Sequence, residues 1–322
     1  MKPSVLMTYP SHFAIRAGAN PHTRNDDNSL KTVDQKLAMK QWNRYVDTLL
    51  DAGVDVYVID AEEGLTGMVF AANAGFLKGR LSDLPASQKT FFPSHFTAEH
   101  RMGESEKFSA FMNRFGFEVI DYPDQWRWEG EADAFPLGRG DDQKWVFTHG
   151  FRSDPDVGDW VESAVLDEPV TRLELADPRY YHGDTALCDL GGPCLMYRDA
   201  FTERSQEVAD ELLGDRIINI DDEDAEAFLG NSFFVVVDGQ RFLFVADGVR
   251  EKTQDEIRER GLEVIPVDIS EFFGKGGGGP KCMVFNLGEC HWAQPGLTQE
   301  HSAFRRVRHI EKIRERRGRG MD

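Results

Sequence analysis

Cysteine is scarce in this chain. Four are spread over 322 residues, at Cys188, Cys194, Cys282 and Cys290. None forms a CxxC pair, so reduced thiols are expected rather than a disulfide framework. Neither the adjacent Cys290-His291 nor Cys188 with Cys194 has zinc-ligand spacing, and no metal or other cofactor is expected. Long apolar runs are also missing. Nothing approaches the ~20 residues of a membrane-spanning helix, and residues 1–10 are too briefly apolar for a signal peptide. A cytoplasmic protein with no membrane partner is expected. Positive charge is in deficit, with 37 Lys and Arg against 56 Asp and Glu and a net charge of −19. That argues against nucleic acid as a partner. It suits attraction of a cationic small molecule, and equally adaptation to salt. The 40% hydrophobic content is enough for one large core or two smaller ones.

What is present alternates regularly. Strand-like runs are read at 4–9, 54–59, 68–74, 117–121, 145–148, 170–175, 182–190, 194–197, 217–220, 233–237, 241–245, 262–267 and 282–287. Helical spacing is read at 32–52, 99–115, 156–166, 202–213 and 249–259, with Thr202 as a cap and Gly261 as a stop. Asp238-Gly239 marks a tight hairpin turn. About five helices, each between strand groups, suit either an ordinary α/β sheet or a repeat wrapped around an axis. A doubly wound fold carries its glycine-rich loop early. Here that loop is late, which favours the repeat. The segment 305–319 is dense in Arg and Lys and reads as a terminal helix or tail.

The late loop is Gly274-Lys275-Gly276-Gly277-Gly278-Gly279-Pro280-Lys281-Cys282. Glycine allows close approach of a ligand to backbone. The β-like run after Cys282 offers no helix N-terminus for a phosphate. Cys282 is therefore the first candidate nucleophile, which requires a histidine and carboxylates from elsewhere. Tyr181-His182-Gly183-Asp184-Thr185 supplies a His-x-Asp pair that would share one face of a strand. Trp126-Arg127-Trp128-Glu129-Gly130-Glu131-Ala132-Asp133 concentrates acids beside two tryptophans, suited to a cation. Asn73 interrupts the apolar run Met68–Gly75, and Asn20 and Asn231 are turn-sited amides that either shape turns or meet a ligand. Arg101 and Arg152 are candidates to clamp a carboxylate.

Together these motifs resemble the pentein, or guanidine-group-modifying, superfamily, which includes dimethylargininase, arginine deiminase, amidinotransferases and bacterial arginine dihydrolase. The resemblance runs from Pro10 to Leu287. The glycine-rich loop with Cys282 is similar to the family's nucleophile loop, and His182 and Asp184 to its His-x-Asp-Thr motif. Glu129 falls on its guanidinium-binding glutamate, with Asp133 in support. Phe70–Gly75 matches Phe-Thr-Ala-Asn-Ala-Gly of the dihydrolase and dimethylargininase-like branch except at Ala71. Pro10, His12, Phe13, Asn20 and Pro21 match that branch's early pattern. Arg101 and Arg152 stand where family arginines bind the substrate α-carboxylate. The branch usually has Pro-Asp before Met68; this chain has Thr66-Gly67. Deiminases and dimethylargininases carry aspartate in place of Asn73, and Glu-Gly-Gly-Asp is loosened to Glu129–Asp133.

The resemblance implies a five-bladed α/β propeller built of pseudo-fivefold ββαβ repeats, a single catalytic domain over 1–298 and a basic helix or tail over 299–322. It implies a cysteine-dependent hydrolase of a guanidino compound, arginine or a methylated arginine, acting through a covalent thiouronium on Cys282. His182, Glu129 and Asp184 would complete the catalytic set. Asn73, Asn20, Arg101, Arg152, Asn231 and Asp133 would bind substrate. No cofactor is implied, and the partner is a small-molecule guanidine, with a homo-oligomer also compatible. The alternatives are an amidinotransferase and a non-catalytic binding pentein.

Overall fold

Strand β1 (Pro3–Thr8) is apolar on both faces and buried along most of its length, as expected for a strand covered on both sides. The computed structural model describes residues 3–82, 84–139 and 142–289. Cys290, His291 and the basic segment expected over 299–322 lie outside the described residues. After β1, helix α1 (Gln35–Asp51) is capped by Asp34, whose side chain accepts from the amides of Lys36 and Leu37. It lays Trp42, Tyr45, Val46 and Leu49 into the core, each burial contributing about 2 kcal/mol. Strand β2 (Asp55–Ile59) then pairs in parallel with β1.

The same sequence of elements recurs. In the second unit, β3 (Gly75–Lys78) and β4 (Thr90–Pro93) are antiparallel, α2 (Glu104–Arg114) follows, and β5 (Glu118–Val119) pairs in parallel with β4. In the third, β6 (Ala134–Leu137) and β7 (Lys144–His149) precede α3 (Val157–Trp160), which widens into a π turn over Val161–Leu166, and β8 (Val170–Glu174). A single helical turn, α4 (Gly183–Ala186), introduces the fourth: β9 (Leu187–Asp189), β10 (Cys194–Met196), α5 (Glu203–Leu213) and β11 (Ile217–Asn219). Thr202 caps α5 as its sequence predicts, accepting from Ser205. After the short α6 (Asp222–Glu226), the fifth unit holds β12 (Phe233–Val237), β13 (Gln240–Ala246), α7 (Glu251–Arg258) and β14 (Glu263–Val267). Its hairpin turns through Asp238 and Gly239, both at positive φ, which matches the strand twist. Helix α8 (Ser270–Gly276) leads into the glycine run, and β15 (Phe285–Glu289) pairs antiparallel with β1.

Among the described residues, fifteen strands thus form five three-stranded sheets, each with one antiparallel and one parallel pairing. In four, the outer antiparallel strand immediately precedes its neighbour. In the first it is β15, so distant parts of the chain join in one sheet. The architecture is mixed α/β.

Three strand expectations fail, all at the site. The run read at 68–74 ends in a 3-10 turn, Ala71–Ala74, and the strand starts only at Gly75. The Ala72 amide is bonded to the Cys282 carbonyl (3.1 Å) instead of a strand partner. The run at 182–190 begins with α4, because Asp133 draws the Gly183 amide away from any strand partner (3.0 Å) and Thr185 then turns back on the His182 carbonyl through its amide (3.1 Å) and hydroxyl (2.6 Å). His182 and Asp184 therefore do not share a strand face. Cys282 lies in a turn in which Val284 N–H donates to Lys281 O (3.1 Å), and its strand begins at Phe285. The glycine run itself starts inside α8, which stops at Gly277 in the left-handed region.

Candidate active site

Cys282 is 2% exposed. Its amide donates to Asn231 Oδ1 (3.2 Å), and the same oxygen accepts from the Gly279 amide (2.7 Å). Asn231 Nδ2 donates to the Asp184 carbonyl (2.7 Å). One buried amide thus ties the glycine loop to the α4 turn. Cys282 Sγ stands 3.9 Å from Asp184 Oδ1. Burial and the Asp184 charge push the thiol well above its ordinary range, so it rests protonated. Asp184 itself is lifted to about 6, chiefly by burial, with Lys281 and His182 pulling the other way. Its Oδ2 has no hydrogen-bond donor, and the nearest cation, Lys281 Nζ, is 3.9 Å away.

Glu129 faces a different environment. His182 Nε2 lies 2.8 Å from its Oε2, Arg152 Nη1 3.4 Å from its Oε1, and the Thr97 amide donates to Oε1 at 3.2 Å. Full burial alone would raise its pKa, but Arg152, His182 and Arg101 hold it down at about 2. His182 is 1% exposed, and its Nδ1 has no partner. Gly130 follows at φ 64, and a Cβ there would lie 2.0 Å from the Gly75 carbonyl oxygen. Only glycine lets the Glu129 turn close on the Asn73 turn.

Asp133 accepts from Thr148 Oγ1 (2.6 Å), Ser153 Oγ (2.6 Å) and the Gly183 amide (3.0 Å). Both its oxygens are engaged, so it fixes the chain beside His182 and supports from behind. Arg101 is turned inward. Its Nε and Nη2 reach Glu104, its Nη1 donates to Asn73 Oδ1 (2.8 Å), and the carbonyls of Gly67 and Phe70 also accept from Nη2. Burial opposes the Arg101 charge, but Glu104 outweighs it and raises the pKa; burial leaves Glu104 raised as well. Arg152 donates to the Ala19 carbonyl (2.7 Å) and lies over the Tyr181 ring (4.6 Å).

Asn20, Asn73, Arg101, Arg152 and Tyr181 line one pocket. A larger cavity, about 360 Å³, shares Asp184 and Lys281 with the site but none of these residues. The arginine-lined pocket is the candidate substrate entrance, because its wall at Arg152 touches Glu129 directly.

Residues 9–288 match the family model for N,N dimethylarginine dimethylhydrolase, eukaryotic. The chain belongs to this family. Within it, the chain is 32% identical over 282 residues to N(G),N(G)-dimethylarginine dimethylaminohydrolase of Mycobacterium tuberculosis, covering 87% of this chain and 84% of that protein. It is 29% identical over 290 residues to the bifunctional arginine dihydrolase/ornithine cyclodeaminase ArgZ of Synechocystis sp.. That match covers 88% of this chain but spans only 38% of the cyanobacterial protein's length. The crystal structure of the N-terminal domain of ArgZ bound to product superposes with a TM-score of 0.79 at 28% identity, covering 90% of this chain and 99% of that one.

The structure brings Cys282, Asp184, His182 and Glu129 together from three distant stretches, with Asn231 and Asp133 bracing them. Sequence reading missed Glu104, Lys281 and Tyr181. Glu104 carried a signal in its i, i+3 spacing from Arg101. Lys281 adjoins the candidate nucleophile. Tyr181 carried none beyond its place before His182.

Proposed function

We propose that this protein is a cysteine-dependent hydrolase of a guanidino compound, with arginine and methylated arginine as first candidates. The observation that carries the reading is a buried thiol 3.9 Å from Asp184, a carboxylate with one oxygen lacking a donor among the described residues, beside a buried Glu129–His182 pair. A guanidinium is planar and cationic, and resonance protects its carbon from attack. Glu129 and Asp184 would orient it and balance its charge. Arrival of that cation would loosen the Cys282 proton, which His182 would take, and the thiolate sulfur then bonds to the guanidinium carbon. The C–N bond breaks as His182 gives a proton to the departing amine, leaving a thiouronium on Cys282. His182 would next take a proton from water as its oxygen bonds to the same carbon, and the C–S bond breaks to regenerate the thiolate. One such cycle on arginine gives citrulline; a second hydrolysis gives ornithine, ammonia and carbon dioxide.

The five repeated sheets support reading the fold as a five-bladed α/β propeller with this site at the convergence of its connecting turns. The test is a screen of arginine, dimethylarginine and other guanidines for release of ammonia or amine by wild type and Cys282→Ser. Turnover by wild type that the variant loses is the expected result. Undiminished turnover by Cys282→Ser would reject the nucleophile.

A further inference from the structure

The charged side chains that line the entrance pocket are all basic. Arg16, Arg101 and Arg152 contribute to its wall beside His100, whose proton affinity is lowered by burial, Arg101 and Arg152, and among the described residues no aspartate or glutamate lines it. The closest acids are committed behind the wall, Glu104 to Arg101 and Glu129 to Arg152 and His182. Backbone acceptors are committed as well. The carbonyls of Gly67 and Phe70 receive Arg101, and that of Ala19 receives Arg152. An ammonium approaching any of them would meet a guanidinium already in place. Two buried polar atoms here have no partner among the described residues, and neither carries charge: Asn73 Nδ2 is a donor suited to a carboxylate, and Asn20 Oδ1 is a single neutral acceptor for an N–H. No carboxylate side chain fits at position 67 either. A Cβ on Gly67 would stand 2.6 Å from Glu104 Oε1 and 2.7 Å from Arg101 Nε.

A carboxylate fits this wall, whereas an ammonium beside it loses water and gains no anionic partner. We infer that the preferred substrate is an ω-guanidino carboxylate that carries no free α-ammonium group. This rests on the hydrolase reading and moves its preferred substrate from the α-amino acids to their des-amino counterparts. Free arginine enters with its ammonium unpaired. The same chain length without the amino group enters with every charge matched, the guanidinium at Glu129 and Asp184 and the carboxylate at the arginines.

The test compares kcat/KM of the full chain for δ-guanidinovalerate, arginine and agmatine. The first is arginine without its amino group, and the last is arginine without its carboxylate. Cys282→Ser serves as the control for turnover at this site. The expected order is δ-guanidinovalerate above arginine by about tenfold, with agmatine lowest. Arginine or agmatine at or above δ-guanidinovalerate, with turnover lost in Cys282→Ser, overturns the inference and leaves the hydrolase reading standing. Absence of turnover with every guanidine removes that reading and the inference with it.

Discussion

The two halves of the site hold buried carboxylates in opposite conditions. Glu129 is surrounded by Arg152, His182 and the Thr97 amide, and its proton is held off down to about 2. Asp184 is as deeply placed, yet one oxygen lacks a donor and its pKa rises to about 6. The first half already holds cations of its own, so a guanidinium there would be oriented by Glu129 but is not needed to neutralise it. The second lacks one positive charge, beside the Cys282 thiol. Under the proposed function a guanidinium would supply that charge, which would make binding and activation of Cys282 one event. The difference separates residues that build the site from residues that wait for its ligand.

The largest effect should come from the waiting half. Cys282→Ser is expected to lower guanidine turnover at least ~10⁴-fold while leaving the melting temperature near wild type, because the nucleophile is replaced by a near-isosteric hydroxyl. Steady-state ammonia release and a thermal melt check both parts. In the neutralised half, Glu129→Gln would remove the negative charge facing Arg152 and leave one amide oxygen where His182, Arg152 and the Thr97 amide now share two. Breaking such a buried pair costs about 3–5 kcal/mol, read by denaturant unfolding at pH 7. A stability loss under 1 kcal/mol would mean that Glu129 is as poorly balanced as Asp184.

Legibility in the sequence divides along related lines. The regular elements announced themselves: α5 through Thr202, the last hairpin through Asp238-Gly239, and α1 through its apolar spacing. Their signals are local, and local chemistry decided them. The candidate site residues were chosen by type, and the recurring units by the rhythm of strands and helices. What failed was the backbone beneath the site. The runs read at 68–74, 182–190 and 282–287 are apolar enough to be strands. Each is bent into a turn by a partner distant in sequence: Cys282 O for Ala72, Asp133 for Gly183, Asn231 for Cys282. Tertiary hydrogen bonds overrode local preference, and no single stretch records them. The inward turn of Arg101 onto Glu104 was hidden for a related reason: its spacing was visible, its burial was not.

The contrast between the carboxylates can be tested without substrate. Asp184 has a folded pKa of about 6 against an ordinary 3.8. Between these values the unfolded chain gives up the proton first. The stability it confers is therefore whole below about pH 4 and lost as pH rises through about 6. The difference, about 2 units, is worth up to about 3 kcal/mol at neutral pH. Asp184→Asn is expected to raise the melting temperature at pH 7 and to flatten its fall between pH 4 and 6, while abolishing turnover. Glu129 has the opposite sign: its contribution is present above about 4.5 and lost as pH falls towards about 2. Amide replacements at the two positions should thus move stability at pH 7 in opposite directions. Movement in the same direction would break the comparison.

The smallest effect concerns the brace between the halves of the waiting side. Asn231→Ala would leave the amides of Gly279 and Cys282 and the carbonyl of Asp184 without their common partner. Water entering the vacated space limits the stability loss to about 2 kcal/mol. Activity should fall further than stability implies, because the loop then presents Cys282 in several positions relative to Asp184. Asn231→Asp adds a charge to the comparison. It keeps the acceptor for both loop amides but loses the donor to the Asp184 carbonyl and sets a second negative charge beside Asp184 and the thiol. Asn231→Asp should therefore be no more stable than Asn231→Ala, and should alkylate at Cys282 more slowly than wild type because the added charge disfavours the thiolate. Equal alkylation rates in all three proteins would show that the amide does not govern the thiol.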